Sequence, residues 1–217
     1  MNKDIFLQFE GDNFFNRNMN SFNNNNDIII NNLTKILNKN TTSLNILEIG
    51  CSNGYRLNEL KLLFLNNNYY GIDPSEKAIN YGINNFKDIN FKISTCDKLD
   101  FYEDNKFDII LIPFVFMYID RNLLLKSIYE IDRILKNNGK LIITDFYSNR
   151  PRKNKYKYVD NTFIYKQHFY KIFISTNNYF LEKLEYFLHN TSNKINDIYD
   201  ETCFYVELKK DLDNMFN

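Results

Sequence analysis

Glu48-Ile-Gly50-Cys51-Ser52-Asn53-Gly54 gathers, in seven positions, residue types that can do chemistry. Glycine lets a backbone turn sharply and approach a ligand closely, and here two glycines bracket a thiol, a hydroxyl and an amide, with a carboxylate just ahead. A second acid, Asp73, follows at roughly the 20-residue spacing at which open nucleotide-binding sheets place a ribose-binding carboxylate. A third, Asp97, comes later. A dinucleotide site asks for G-x-G-x-x-G, but Ser52 holds the middle position, which argues against NAD or FAD. Gly50-Cys-Ser-Asn-Gly54 also matches the G-x-S-x-G elbow, and the order Ser52, Asp145, His168 would complete the triad of an α/β serine hydrolase. Against this, the elbow would stand on the first strand, no glycine-rich oxyanion loop precedes it, and Glu48, Asp73 and Asp97 would have no task. A plain strand-to-helix turn capped by Glu48 would need no ligand at all.

The elements that must position these residues are legible from periodicity. Leu44–Gly50, Tyr69–Asp73, Asn90–Thr95, Phe107–Ile112 and Lys140–Asp145 are short apolar runs read as strands. Between them, Arg56–Leu65, Pro74 or Ser75 to about Asn84, and Arg121–Lys136 carry helical apolar stripes. Asn137-Asn138-Gly139 is a C-cap signal. Alternation of this kind implies a parallel sheet covered on both faces. Ahead of it, residues 1–40 are polar and Asn-rich, with a helix over Asp27–Asn38 and a low-complexity patch at Asn23–Asn26. Behind it come a basic, Tyr-rich loop (Arg150–Tyr158), a helix (Lys166–Ser175) and two strands (Tyr179–Leu188 and Cys203–Leu208) joined by a hairpin connection. The expected fold is α/β: a Rossmann-like, doubly wound, mostly parallel seven-stranded sheet ending in an antiparallel pair, with an N-terminal helical lid segment. The expected division is 1–40 for the N-terminal segment and 41–217 for the main domain, itself divided into 41–146, which carries the glycine turn and the three acids, and 147–217 with the C-terminal strands.

Composition narrows the function. At 217 residues with 44% hydrophobic content, the chain can build one sizeable core. No run approaches the roughly 20 apolar residues of a membrane span, and the start lacks the pattern of a signal peptide. Lys+Arg and Asp+Glu are 27 each, so the basic surplus that duplex nucleic acid asks for is missing. Three separated cysteines and two histidines support neither a disulfide framework nor a zinc site, and no metal is expected. A reduced, cytoplasmic setting fits this inventory.

Taken in order, the motifs over residues 44–146 resemble those of class I S-adenosylmethionine-dependent methyltransferases. Leu-Glu-Ile-Gly-Cys-Ser-Asn-Gly is similar to their first motif, Tyr-Gly-Ile-Asp73-Pro74-Ser to the second, Ser94-Thr-Cys96-Asp97 to the third and Phe107-Asp-Ile-Ile-Leu-Ile-Pro113-Phe-Val to the fourth. Leu135-Lys-Asn-Asn-Gly139-Lys-Leu stands where the family often has L-K-P-G-G. The resemblance implies S-adenosylmethionine as cofactor and S-adenosylhomocysteine as product. It implies that Glu48 and the turn Gly50, Cys51, Ser52 and Asn53 hold the methionine part, with Pro113 behind it. Asp73 and its neighbour Pro74 would take the ribose, and Asp97 with Cys96 the adenine. Both chain ends, Glu10-Gly-Asp-Asn-Phe-Phe-Asn-Arg-Asn18 and Asp145-Phe with Tyr165-Lys-Gln-His-Phe-Tyr, look like small methyltransferases of bacterial capsule and lipopolysaccharide clusters. That narrower likeness adds Phe15 and Arg17 to the cofactor site, Arg17 pairing with the methionine carboxylate.

On the acceptor side, His168 is the expected general base, since an ordinary histidine titrates near pH 6.5; Asp12, Asp145 and Tyr165 are alternatives. Tyr118, Arg150 and Tyr165 are the expected substrate contacts, with the basic loop holding phosphates or an acidic glycan. The expected activity is methyl transfer, to oxygen rather than nitrogen, on a sugar, a nucleotide-linked sugar or a related group of surface-polysaccharide biosynthesis. Two alternatives keep the cofactor: a protein that binds it without catalysis, and an RNA-directed one, since basic residues among aromatics also suit single strands.

Overall fold

In the computed structural model the described residues are 1–19, 27–189 and 202–213. The Asn23–Asn26 patch and most of the connection ahead of Cys203 lie outside them. Five strands, β1 (Asn45–Ile49), β2 (Asn68–Asp73), β3 (Ile89–Ile93), β4 (Phe107–Pro113) and β5 (Leu135–Phe146), pair in parallel. With β8 (Tyr179–Leu188) and β9 (Thr202–Lys210) they form a seven-stranded sheet of order β3-β2-β1-β4-β5-β9-β8. β9 runs antiparallel to both β5 and β8, which gives the expected antiparallel end.

Alternation along these strands explains why both faces are covered. Leu47, Ile49, Ile110, Ile112, Leu141 and Ile143 point to one face, where they meet α6 (Leu124–Ile134) and Phe169 and Phe173 around α7 (Tyr170–Ile174). Ile46, Tyr69, Ile109, Leu111, Ile142 and Tyr205 point to the other. There they meet α3 (Ile28–Leu37), α4 (Tyr55–Leu63) and α5 (Glu76–Asn85). Within the N-terminal 40 residues, therefore, α3 is part of the core. The segment before it is different: α1 (Asn2–Ile5), a π-helical turn (Phe6–Glu10) and α2 (Gly11–Asn18) lie across the C-terminal ends of the strands.

Four local expectations are corrected. The helix expected over 121–136 spans only Leu124–Ile134, because Leu135 already pairs with Phe107. Its C-cap signal is displaced as well: Asn138, at φ 66°, and not Gly139, takes the left-handed conformation. The basic loop Arg150–Tyr158 contains a strand, β6 (Arg152–Lys155), paired antiparallel with β7 (Phe163–Lys166). Lys153 Nζ lies 3.9 Å from the centre of the Phe163 ring, a cross-strand cation–π contact that a charged stretch does not advertise as strand. That pairing claims Lys166, so the helix expected from there begins only at Tyr170.

Candidate functional site

Strand order reverses between β1 and β4, the switch point at which open α/β sheets bind ligands beyond their carboxyl ends. A cleft of about 540 Å³ opens there. Its floor is the glycine turn. Gly50 and Gly54 have φ of +75° and +78°, a region L side chains avoid, and a Cβ at Gly54 would meet the Phe91 ring at 2.4 Å. Gly50 N and Cys51 N both donate to Ile72 O, and Ser52 N donates to Asp73 Oδ2 at 2.8 Å. Asp73 Oδ1 accepts from Ser75 N at 2.9 Å, so one carboxylate fixes both the turn after β1 and the turn after β2. Burial raises Asp73 to about 6, against the pull of those two N–H groups.

Glu48 is fully buried behind this turn, bonded to the Arg56 guanidinium, which also donates to Asp27 Oδ2 at 2.8 Å. Burial pushes Glu48 up to about 7 despite the guanidinium. Its second oxygen, Oε2, has no hydrogen-bond partner, and neither does the buried Ser52 Oγ in the turn itself. Asp97 accepts from Lys3 Nζ at 2.6 Å and Thr95 Oγ1 at 2.7 Å. Burial raises its pKa, but these partners more than offset that and hold it below the ordinary carboxylate range.

The N-terminal segment is fastened over the opening at several points. Asp120 accepts from the backbone N–H groups of Asn2 and Lys3, both at 3.0 Å, while Asn2 Nδ2 donates to Tyr118 O and Phe163 O. Asp12 Oδ1 accepts from Ser75 Oγ and Lys77 N. Buried Glu10 accepts from Tyr156 Oη at 2.6 Å and from Arg17 at 2.5 Å, which ties α2 to the β6–β7 hairpin.

Of the residues the sequence singled out, Gly50, Cys51, Ser52, Asn53, Asp73, Pro74, Cys96, Asp97, Pro113 and Tyr118 line this one cleft. Glu48 sits behind it. Phe15 is buried and packs on Tyr81, and Arg17 lies against Glu10 and over the Tyr158 ring, both away from the lining. Tyr165 lies under the Arg121 guanidinium, and Arg150 is exposed. His168 packs among Tyr147, Tyr170 and Phe204, also away from the cleft lining; its Nε2 is buried without a partner, and burial lowers its pKa. The buried thiols of Cys51 and Cys96 are pushed up by desolvation, Cys96 to about 11.

The hydrolase triad is not assembled. Ser52, at φ 50°, has the strained backbone of an elbow, but its Oγ and His168 Nε2 each lack any partner and so are not bonded to one another. Asp145 accepts instead from Met117 N and Phe146 N, and burial raises it to about 8.

Sequence reasoning missed Lys3, Phe6, Phe14, Asp27, Arg56, Asp120, Phe146 and His189, all of which line the cleft. Arg56 had a usable signal, as the first cation after the glycine turn. The others come from distant segments that only the folded chain brings together. No group of three or more His, Cys, Asp or Glu side chains among the described residues could hold a metal ion, and no helix there is long and apolar enough to cross a membrane.

The arrangement suits a ligand with a hydroxylated ring, an apolar body and a zwitterionic end. Acceptor carboxylates stand at successive strand ends, a tight turn allows backbone approach, and two buried oxygens await donors. The family model of a methyltransferase domain matches residues 40–186. No curated protein matches the sequence. Among solved structures, an S-adenosylmethionine-dependent methyltransferase from Methanosarcina mazei is similar at a TM-score of 0.61 and 18% identity, covering 82% of this chain and 97% of that one. One from Aquifex aeolicus gives 0.54 and 20%, covering 82% and 88%. The [4+2]-cyclase SpnF gives 0.59 and 16%, covering 83% and 81%. At such identities the structural likeness speaks for the fold alone.

Proposed function

The chain belongs to the methyltransferase-domain family with S-adenosylmethionine as its cofactor, and from that premise we propose the roles of its residues and the class of its acceptor. When bound, the cofactor supplies a methyl group already activated by its sulfonium. What remains for the protein is binding and alignment, which account for much of the rate of such a transfer. Asp73 takes the ribose hydroxyls and Asp97 the adenine edge. The Gly50–Gly54 turn and the Glu48–Arg56–Asp27 cluster take the amino-acid end, Arg56 standing where Arg17 was expected. The observation that carries this reading is one cleft lined by Asp73, Asp97 and a left-handed glycine turn whose Ser52 Oγ and neighbouring Glu48 Oε2 have no partner.

The acceptor in this reading is a small polar molecule methylated on oxygen: a sugar, a nucleotide-linked sugar or a related group of bacterial surface-polysaccharide biosynthesis. The likeness of both chain ends to capsule and lipopolysaccharide methyltransferases supports it, as does the basic hairpin beside Tyr118, where Tyr156 meets the Tyr118 ring edge-on at 5.6 Å. Calorimetric titration with S-adenosylmethionine and S-adenosylhomocysteine tests the cofactor roles. Micromolar binding, lost in Asp73→Ala, is expected; equal binding by the variant refutes the assignment of Asp73. A second reading, cofactor binding without methyl transfer, draws on the shared fold of the [4+2]-cyclase SpnF. It predicts binding without turnover on any acceptor.

A further inference from the structure

Resting on the methyltransferase reading, we propose that His189 takes the proton of the acceptor, and that the acceptor enters the cleft as an uncharged ring bearing a hydroxyl, seated against Phe114, Phe146 and His189.

Charge bookkeeping in the cleft comes first. The cations that line it are Lys3 and Arg56, and each is committed: Lys3 to Asp97, and Arg56 to Glu48, Asp27 and, in the reading above, the amino-acid end of the cofactor. Four carboxylates line it, those of Asp27, Asp73, Asp97 and Asp120. Among the described residues no lining cation is left to receive a further anion, so whatever enters beside the cofactor carries no negative charge where it meets these walls. Phosphates of a larger acceptor would stay outside, within reach of the hairpin.

Shape comes second. Phe114 has φ 55°, a left-handed backbone that is an outlier for a bulky residue and that collects at functional sites. Phe114 N is held by Thr144 O at 2.8 Å, and the ring meets Phe146 at 5.5 Å and His189 edge-on at 5.1 Å. His189 in turn stacks on Phe146 at 5.1 Å and 19°. Phe6 and Phe14, both packed on Tyr118, line the same cleft. Aromatic rings in the lining accept a flat ring or the apolar face of a sugar.

Proton traffic comes third. The lining carboxylates already hold backbone N–H groups or ion pairs, whereas His189, exposed, is engaged among the described residues only through its ring faces and edges. The chain has two histidines, and His168 lies outside this lining. In the step, the acceptor O–H bond breaks and its proton passes to an imidazole nitrogen of His189. The oxygen pair forms the new O–C bond as the C–S bond breaks, its electrons remaining on sulfur. The positive charge thus moves from sulfonium to imidazolium and the total is conserved.

The test loads the protein with S-adenosylhomocysteine and adds phenol in one arm and methyl α-D-glucopyranoside in the other, following the two histidine ring signals by NMR. His189→Phe keeps an aromatic wall, removes the proton acceptor and assigns the signals. One probe is expected to move the His189 resonances, and which one does so separates an aromatic from a carbohydrate acceptor. With S-adenosylmethionine and that probe, His189→Phe should keep KM within about threefold and lose about 100-fold or more in kcat, the usual contribution of a general base. Normal uptake of S-adenosylhomocysteine with no response of His189 to either probe overturns the proposal, and so does a variant kcat near that of the natural chain. No uptake of S-adenosylhomocysteine overturns the cofactor reading beneath it.

Discussion

Arg56→Met isolates what the buried ion pair does. The substitution keeps most of the apolar stem and removes the only two influences that hold Glu48 down, the charge and the hydrogen bond of the guanidinium; burial, Asp27 and Asp73 all push it up. Glu48 at about 7 in the fold, against its ordinary 4.5, binds its proton more tightly folded than unfolded. Its contribution is therefore fully favourable below about pH 4.5 and declines as pH rises to about 7, a loss on the order of 3 kcal/mol. Above pH 7 the natural chain loses no more from this group. In Arg56→Met, Glu48 is pushed further up and the decline continues beyond pH 7. The difference between the two proteins from this source is near zero at pH 6 and grows above pH 7 by up to about 1 kcal/mol for each further pH unit. Losing the partly buried Arg56–Asp27 bond adds roughly 1 kcal/mol at every pH. Other titrating groups are shared and cancel. For a chain of this size about 1 kcal/mol moves Tm by roughly 2–4 °C. Thermal unfolding should thus show a gap of roughly 2–4 °C at pH 6 that is wider at pH 9. A gap that is the same at both pH values refutes the assignment of Glu48 as a buried acid held by Arg56.

Two further perturbations address the turn and the lid. Gly54→Ala forces an L side chain to φ +78° and a Cβ to within 2.4 Å of the Phe91 ring, at a cost of about 1–2 kcal/mol for the backbone and about 1–3 kcal/mol for overpacking. Calorimetry should show Tm lowered by roughly 5 °C or more, and an unchanged Tm would contradict the geometry of the turn. Asp120→Ala removes the acceptor of the Asn2 and Lys3 N–H groups; amide exchange over residues 2–10 should accelerate by about 10- to 100-fold, as two charge-assisted bonds are lost. Global Tm should stay nearly constant, because these residues lie outside both core clusters, and unaltered exchange would show that Asp120 does not hold the segment down.

The sequence by itself determined the sheet and the floor of the cleft. Apolar runs of strand length, helical stripes between them and glycines at their ends are local signals, and β1, β2, β4, α4 and α5 form close to where periodicity puts them. Asp73 and Asp97 were legible for the same reason: each ends or follows a strand, so its place in the sheet fixes its place at the cleft. Local reasoning gave way where a long-range partner decides. Basic Arg152–Lys155 becomes a strand only because Phe163–Lys166 lies opposite, and Leu135 leaves its helix only because Phe107 pairs with it. The walls of the cleft belong to that second class. Lys3 reaches Asp97 across 94 positions, and Tyr156 reaches Glu10 across 146. Phe114 meets His189 from another part of the chain. Nothing in the spacing of such residues marks them, because their proximity is set by how lid, hairpin and sheet pack, and not by any periodicity along the chain.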